Sequence, residues 1–424
     1  MSGIVIGIDA GTSGIRCLAM DGAGNIKAQA GVKMADHGED GRDPATWQRT
    51  GLAALTALLK QIDPSSVRAL AVDGTSGTVL PIDEAGTPLA PALMYSDAVG
   101  EAAILERIAT SAPAASPARG ATSGLAKALL FQSLPRLARV VHQADWLAGL
   151  LSGRFDISDE NNSLKTGYDP VTRQWPEWIA QTGMNVSLLP QVVPAGTQTG
   201  VISSAAAETL GLPRDAIIIA GTTDGCASFL ATGADAPGEG VSALGSSLTI
   251  KLLSDKPVNA PQFGIYSHRI GGKWLAGGAS NVGGKVLAAH FSAVRIAELS
   301  KRIDPETDTG LDYYPLARDG ERFPIADPAL KPRMSPRPDD DAEFLKAIFE
   351  GIANVEALGY RRLAELGCPP LSLVRSVGGG SVNQVWTRIR ARRLGVPMLQ
   401  ALSCEAAAGT ARLALRGARE AGLT

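Results

Sequence analysis

Two aspartates in this chain stand where a carboxylate can do chemistry. In "AIIIAGTTDGCASF" (216–229) an apolar β-branched run ends in two threonines and Asp224, and in "GIVIGIDAGTSG" (3–14) a similar run ends in Asp9 before a glycine turn. A strand that breaks into a tight small-residue turn holds its last side chain rigidly, so both carboxylates are expected at strand C-termini. The turn after Asp9, Ala10 to Gly14, is one of four that follow strands; the others span 74–77, 244–247 and 378–380. Successive N–H groups in glycine turns form concave anion sites, to which Thr12, Ser13, Ser246 and Ser247 add hydroxyl donors. Phosphate is the matching guest. Asp9 would repel a phosphate unless a divalent cation lay between them, which implies Mg²⁺. Asp224 then suits the base that phosphoryl transfer to an alcohol requires, a positioned carboxylate that accepts the hydroxyl proton. The plainer readings are that Asp9 satisfies turn amides and that Asp224 caps the helix beginning at "CASFLATG".

The elements that would position these residues alternate between strand and helix. The N-terminus reads as a strand, a hairpin and a second strand. A helix follows, with Asp43 as N-cap, Pro44 at the first helical position, and Trp47, Leu52, Leu55, Leu59 and Ile62 on one face. "VRALAVDGTSGTVLPID" (67–83) repeats the strand, small polar turn and strand, and 101–154 reads as mainly helical, with an Ala/Ser/Pro-rich break near 111–120 and an apolar face in "VVHQADWLAGLLSG" (140–153). "GVSALGSSLTIKLLSD" (240–255) has the plan of the first hairpin, Gly-Ser-Ser replacing Gly-Thr-Ser, which points to an internal duplication. The longest helix is expected at 341–367. A strand, triple glycine and helix follow at 376–395, and an Ala-rich helix at 405–421 closes the chain. This pattern implies an α/β fold with two related lobes and a central cleft. The expected division is 1–230, completed by 405–424, and 231–404.

Composition narrows the partners. The chain has 424 residues, 45% of them hydrophobic, more than one ordinary core needs. A formal net charge of −2 supplies no basic field for nucleic acid or an anionic membrane, so the expected partner is a small molecule. Cys17, Cys226, Cys368 and Cys404 are widely spaced without a C-x-x-C pair, which suits a reducing compartment and a cytoplasmic location. Asp9 interrupts the N-terminus before an apolar signal core can form, and no apolar run approaches the roughly 18 residues a membrane span needs. His37, His142, His268 and His290 lack metal spacing, and no Ser/His/Asp order stands out. Neither G-x-x-x-x-G-K-[ST] nor a strand-to-helix G-x-G-x-x-G occurs. "RIRARR" (388–393) reads as a solvated helix face, Cys226 as a small buried residue, and a Cβ at Gly379 is expected to crowd its loop.

With "GIDAGTSG" (7–14), "DGTSGT" (73–78), "QADWLAGLLSG" (143–153), "AGTTDG" (220–225), "LGSS" (244–247), "GGASNVGG" (277–284), "GGGSVN" (378–383) and "CEAAAGTARLA" (404–414), essentially the whole chain resembles the FGGY family of carbohydrate kinases. The resemblance implies the two-lobed actin-like ATPase fold and ATP with Mg²⁺ as cofactors. It implies that Asp9 organises Mg·ATP, holding the metal through water, and touches the sugar. Gly11, Thr12, Ser13, Gly14 and Arg16 would lie on the ATP phosphates, and Asp224 would be the base. Thr75 and Ser76 would contact the sugar, and Gly245, Ser246, Gly378, Gly379, Gly380 and Asn383 would hold ATP.

Within the family the chain is most similar to the short D-ribulose kinases of cyanobacterial and plant type, on "DGTSGTVL", "YSHRIGGKWLAGGASN" (266–281) and "GLDYYPLARDGERFPIADP" (310–328). That implies phosphorylation of the terminal hydroxyl of a ketopentose, D-ribulose first, with D-xylulose or another sugar or polyol as the alternative. The chain departs from the family at "MYSDAVG" (94–100), where many members carry a tryptophan and a downstream arginine, which weakens Asp97 as a sugar contact. It is also shorter than the usual member, which leaves the oligomeric state open. A different class, an actin-like nucleotide switch without a sugar acceptor, needs neither Asp224 nor a second polar turn at 73–78.

Overall fold

In the computed structural model, which describes residues 3–38 and 40–424, β1 (Ile4–Ala10) and β2 (Gly14–Asp21) form the N-terminal hairpin, with β3 (Ile26–Lys33) beside β2. Helix α1 (Pro44–Leu59) starts where its sequence dictates: Asp43 accepts the Ala45 N–H at 2.9 Å, and Pro44, which has no N–H to lose, takes the first turn. Trp47, Thr50, Ala54, Leu55, Leu58 and Leu59 are buried. Leu52 is 46% exposed, because a helical step from Trp47 returns to the core at 50, 54 and 58, and Ile62 lies past the helix end.

The chain continues through β4 (Val67–Gly74), β5 (Val79–Ile82), α2 (Ala102–Ser111), α3 (Gly124–Phe131), β6 (Arg139–His142) and α4 (Gln143–Ser152). The expected helical face at 140–153 begins instead as a strand: β-branched Val140 and Val141 pair with β5 in an antiparallel ladder, and α4 follows. Then come β7 (Ile157–Asp159), α5 (Trp178–Gln181), β8 (Gln191–Val193), β9 (Gln198–Val201), α6 (Ser204–Leu210), β10 (Ile217–Ile219) and α7 (Asp224–Ala231). The remaining elements are β11 (Glu239–Leu244), β12 (Leu248–Ser254), β13 (His268–Ile270), β14 (Lys273–Ala279), α8 (Gly284–His290), α9 (Ala293–Ser300), α10 (Asp341–Glu365), β15 (Leu373–Val377), α11 (Gln384–Leu394), β16 (Met398–Gln400) and α12 (Ala406–Glu420).

Two units result: Met1–Ala231 with His268–Gly272 and Glu405–Thr424, and Thr232–Ser267 with Lys273–Cys404. The sheet of the first runs β3-β2-β1-β4-β10-β9. In it β1, β2 and β3 are antiparallel neighbours, while β1, β4 and β10 are parallel. The second unit repeats five of these places as β14-β12-β11-β15-β16, antiparallel on one side of β11 and parallel on the other. The duplication read from two turns is thus a duplication of topology. Parallel strands end at the same edge of a sheet, so the loops that leave them are gathered there.

In the first unit α12 covers one sheet face with Ala407, Ala408, Ala411, Ala414 and Ala418 against Val5, Ala69, Ala71, Ile217 and Ile219. A Cβ on Gly7 would lie 2.1 Å from the Ala407 carbonyl oxygen, so only glycine lets helix and strand approach this closely. In the second unit Phe349 stacks on Trp386 at 4.8 Å. Arg390, one turn beyond Trp386, faces the same core rather than solvent. It is fully buried and makes two 2.7 Å hydrogen bonds to the Glu356 carboxylate and a third to Ser376 Oγ. Arg392 and Arg393 pair with Asp308, so the basic run is largely satisfied by this unit's own acids. Among the described residues no helix is long and apolar enough to cross a membrane.

Candidate active site

The parallel pairing of β1 with β4 sets Asp9 directly beside Asp73, and the bridge between Gly74 and Thr223 brings the loop after β10 to the same edge. Asp9, Asp73 and Asp224 therefore converge. Burial raises the Asp9 carboxyl above its ordinary value; a hydrogen bond with Asp73 and the charge of Arg16 draw it back, while Asp224 and Glu405 push it up. Burial pushes the Asp73 carboxyl well above its ordinary value, and the Asp9 charge adds to this. The Thr410 hydroxyl on α12 donates to Asp73 Oδ2.

Oxygen donors gathered around excess negative charge fit a hard divalent cation. Among the described residues no three His, Cys, Asp or Glu side chains are grouped to hold one unaided. Where a divalent cation entered with nucleotide phosphates, Asp9 would be the residue here to add a carboxylate to it. The Gly11 N–H donates to Gly14 O at 3.1 Å, closing the turn, and leaves Thr12 and Ser13 exposed. Arg16 lies 3.6 Å from Asp9 and 3.5 Å from Glu405.

Loop 73–78 divides its hydroxyls. Thr75 donates its N–H and its Oγ1 to Gln143 Oε1, at 3.1 and 2.9 Å, and Thr75 Oγ1 is also 2.5 Å from Thr78 Oγ1. Ser76 Oγ and Gln143 Nε2 are buried with no hydrogen-bond partner among the described residues. Thr75 thus shapes the loop, and Ser76 keeps unused hydrogen-bonding capacity. Asp97 is held by Arg42 at 3.1 and 2.7 Å and accepts the Met94 N–H at 2.8 Å.

Asp224 begins α7, half-buried, with Oδ1 accepting the Gly225 N–H at 2.7 Å. The capping position belongs to Thr223, whose Oγ1 accepts the Cys226 N–H at 3.4 Å. The plainer reading of Asp224 therefore passes to its neighbour. Cys226 is buried.

In the second unit, Gly245 O and Ser246 O accept the N–H groups of Gly284 and Lys285 at 2.8 and 3.1 Å. Gly378 has φ +86, and a Cβ there would lie 2.7 Å from Leu244 O, so the Gly245 and Gly378 turns are packed together. Gly380 is crowded by Leu244 and Trp386, whereas a Cβ at Gly379 meets nothing within 4 Å. The crowding expected at Gly379 thus belongs to its two neighbours. The glycines lead into a short 3₁₀ turn, Gly379–Val382, before α11 begins. Asn383 caps that helix, its Oδ1 accepting the Trp386 N–H at 3.0 Å while Nδ2 donates to Ser300 Oγ at 2.8 Å.

Family models match both parts of this arrangement: the N-terminal domain of the FGGY family of carbohydrate kinases over residues 4–115, and its C-terminal domain over 240–418. The chain belongs to the FGGY family of carbohydrate kinases. It is 26% identical to an autoinducer-2 kinase of Yersinia pestis (strain Pestoides F), over 96% of this chain and 85% of that protein. A match to the autoinducer-2 kinase of Yersinia enterocolitica, also at 26%, covers 66% of this chain and 61% of its relative. The crystal structure of a xyloylose kinase from Brucella ovis superposes with a TM-score of 0.85 at 23% identity, over 98% of this chain and 91% of that one, and speaks for the fold. This FGGY kinase thus has the two-lobed actin-like α/β fold and is an ATP-dependent sugar phosphotransferase.

Three residues of the kinase's acidic edge escaped the sequence reading. Asp73 stood in a quoted motif, but its pairing with Asp9 depends on strand register. Gln143 and Thr410 lie 68 and 337 residues from the partners they hold, and no local pattern marks them.

Proposed function

We propose that this FGGY kinase transfers the γ-phosphoryl group of ATP to the terminal hydroxyl of a ketopentose, D-ribulose first and D-xylulose second. The observation that carries this reading is the meeting of Asp9, Asp224 and loop 73–78 at one sheet edge, phosphate turn and hydroxyl-reading loop together. Asp224 takes the proton of the attacking hydroxyl. Ser76, with Thr75 and Asp9, orients the sugar. Gly11 to Gly14 and Arg16 receive the phosphates, and in the second unit Gly245, Ser246, Gly378, Gly379, Gly380 and Asn383 serve the nucleotide. Bound Mg²⁺ would offset charge on the transferring phosphoryl group. By this division, 1–230 with 405–424 serve sugar and phosphate, and 231–404 serve ATP. Widely spaced cysteines without a C-x-x-C pair accord with a cytoplasmic setting.

The preference for D-ribulose rests on the motifs at 73–80, 266–281 and 310–328. The Yersinia relatives favour a second reading, in which the acceptor is the compound for which those kinases are named. ADP release with Mg·ATP and D-ribulose, D-xylulose, L-ribulose, glycerol, autoinducer-2 or no acceptor separates them. We expect kcat/KM for D-ribulose to exceed the others by about tenfold or more. Preference for another acceptor corrects the substrate, and an ADP release that no acceptor raises favours the nucleotide switch.

A further inference from the structure

Lys127 lies on α3 between Ala126 and Ala128, with no exposed surface. A lone lysine in "GLAKALLF" would ordinarily carry its ammonium out to water. Here the ammonium donates to Gly77 O at 2.8 Å and to Met94 O at 2.6 Å. Burial draws its pKa down to about 8, against the opposing charge of Asp97. Desolvating a cation for two neutral carbonyls is a poor exchange for stability alone, since a methionine would fill similar volume without the penalty.

The two carbonyls belong to different segments. Gly77 follows Ser76, and Met94 opens the turn that Asp97 closes by accepting the Met94 N–H at 2.8 Å. The segments also meet where Thr78 Oγ1 accepts the Tyr95 N–H at 3.0 Å and where Val79 and Leu93 exchange backbone hydrogen bonds. Lys127 closes the open end of this ladder, next to Ser76, whose Oγ has no hydrogen-bond partner among the described residues.

We propose that Lys127 is a positioning residue for the acceptor: by joining Gly77 to Met94 it makes 75–78 and 94–97 one rigid element and sets the place of Ser76. The role rests on the reading of 73–78 as the acceptor loop. Lys127 acts through the backbone and touches neither nucleotide nor phosphate.

The test compares wild type with Lys127→Met, which keeps the length and loses the donors, and Lys127→Arg, which keeps a cation. Sugar KM, ATP KM, kcat and sugar-independent ATP hydrolysis are measured for each. In Lys127→Met the sugar KM should rise about tenfold or more, with ATP KM and basal hydrolysis within about twofold of wild type; Lys127→Arg should recover part of the loss. A folded Lys127→Met with wild-type sugar KM overturns the role. A fall in thermal stability that leaves the ratio of sugar KM to ATP KM unchanged also overturns it.

Should Lys127→Met not fold, amide exchange of wild type decides. Sugar should protect 75–78 and 94–97 together, and independent responses of the two segments overturn the coupling. A wild type that no sugar stimulates defeats the acceptor-loop reading, and Lys127 with it, before any variant is made. An indifferent Lys127→Met in a sugar-stimulated enzyme defeats the Lys127 role alone.

Discussion

Whether a carboxylate is a cap or a base depends on one position in the chain. Thr223 takes the cap of α7 and Asp224 follows it in the first turn, so the cap does not account for the acid. Asp224→Asn, nearly isosteric and unable to accept the proton, should lower turnover by roughly 10²-fold or more with ATP KM little changed. Steady-state kinetics with saturating sugar check this, and near-normal turnover would remove Asp224 from the base role. The aspartate was legible in the sequence as a rigidly held acid after a strand. Its company was not, because Asp73 is buried beside Asp9 only through strand register.

At the scale of elements, short loops hold the site through buried polar groups. Asp159, at the end of β7, accepts the Asn161 N–H at 2.8 Å and the Asn162 side chain at 2.5 Å. Asn161 Nδ2 in turn donates to Thr222 Oγ1 at 3.0 Å, two residues before Asp224. Burial, with the Asp145 charge adding to it, raises the Asp159 carboxyl to about 7. Its value in the unfolded chain is about 4. Between those values the folded state binds more protons than the unfolded one, so this residue's contribution to stability is present at low pH and is lost as pH rises toward 7. Asp159→Asn should flatten the decline by up to about 1.4 kcal/mol per pH unit, as measured by denaturant unfolding from pH 4 to 7. An unchanged slope would show that the carboxyl is not protonated in the folded state.

Gly378 makes the parallel point in the second unit. Its φ of +86 and the 2.7 Å approach of a Cβ to Leu244 O mean that Gly378→Ala should cost about 1–3 kcal/mol and weaken ATP binding. Gly379→Ala, which enters open space, should leave thermal stability within about 0.5 kcal/mol. Equal effects at the two positions would contradict the loop geometry. Sequence marks all three glycines alike; only the course of the backbone over Leu244 separates them.

For the whole molecule, α12 ties the chain's last residues to its first. It covers the face of β1, β4 and β10 with alanines and brings Thr410 to Asp73. Deleting 405–424 should uncover that face and abolish soluble, cooperatively unfolding protein, whereas removal of 421–424, which takes only the partly buried Leu423 from it, should cost far less. Soluble yield and a thermal melt distinguish these outcomes, and a well-folded 405–424 deletion would refute the structural role of α12.

The sequence by itself determined the alternation of strands and helices, the repeated strand-turn-strand plan, the positions of Asp9 and Asp224, and the family. All of these rest on short-range signals: period, turn residues and contiguous motifs. The tertiary structure alone decided that Arg390 is buried against Glu356, that Val140 and Val141 form a strand, that Asp73 stands beside Asp9, and that Lys127 turns inward to Gly77 and Met94. In each case the deciding partner is remote in the chain. A side chain's burial, charge state and hydrogen bonds are set by what folding brings against it, which local pattern does not encode.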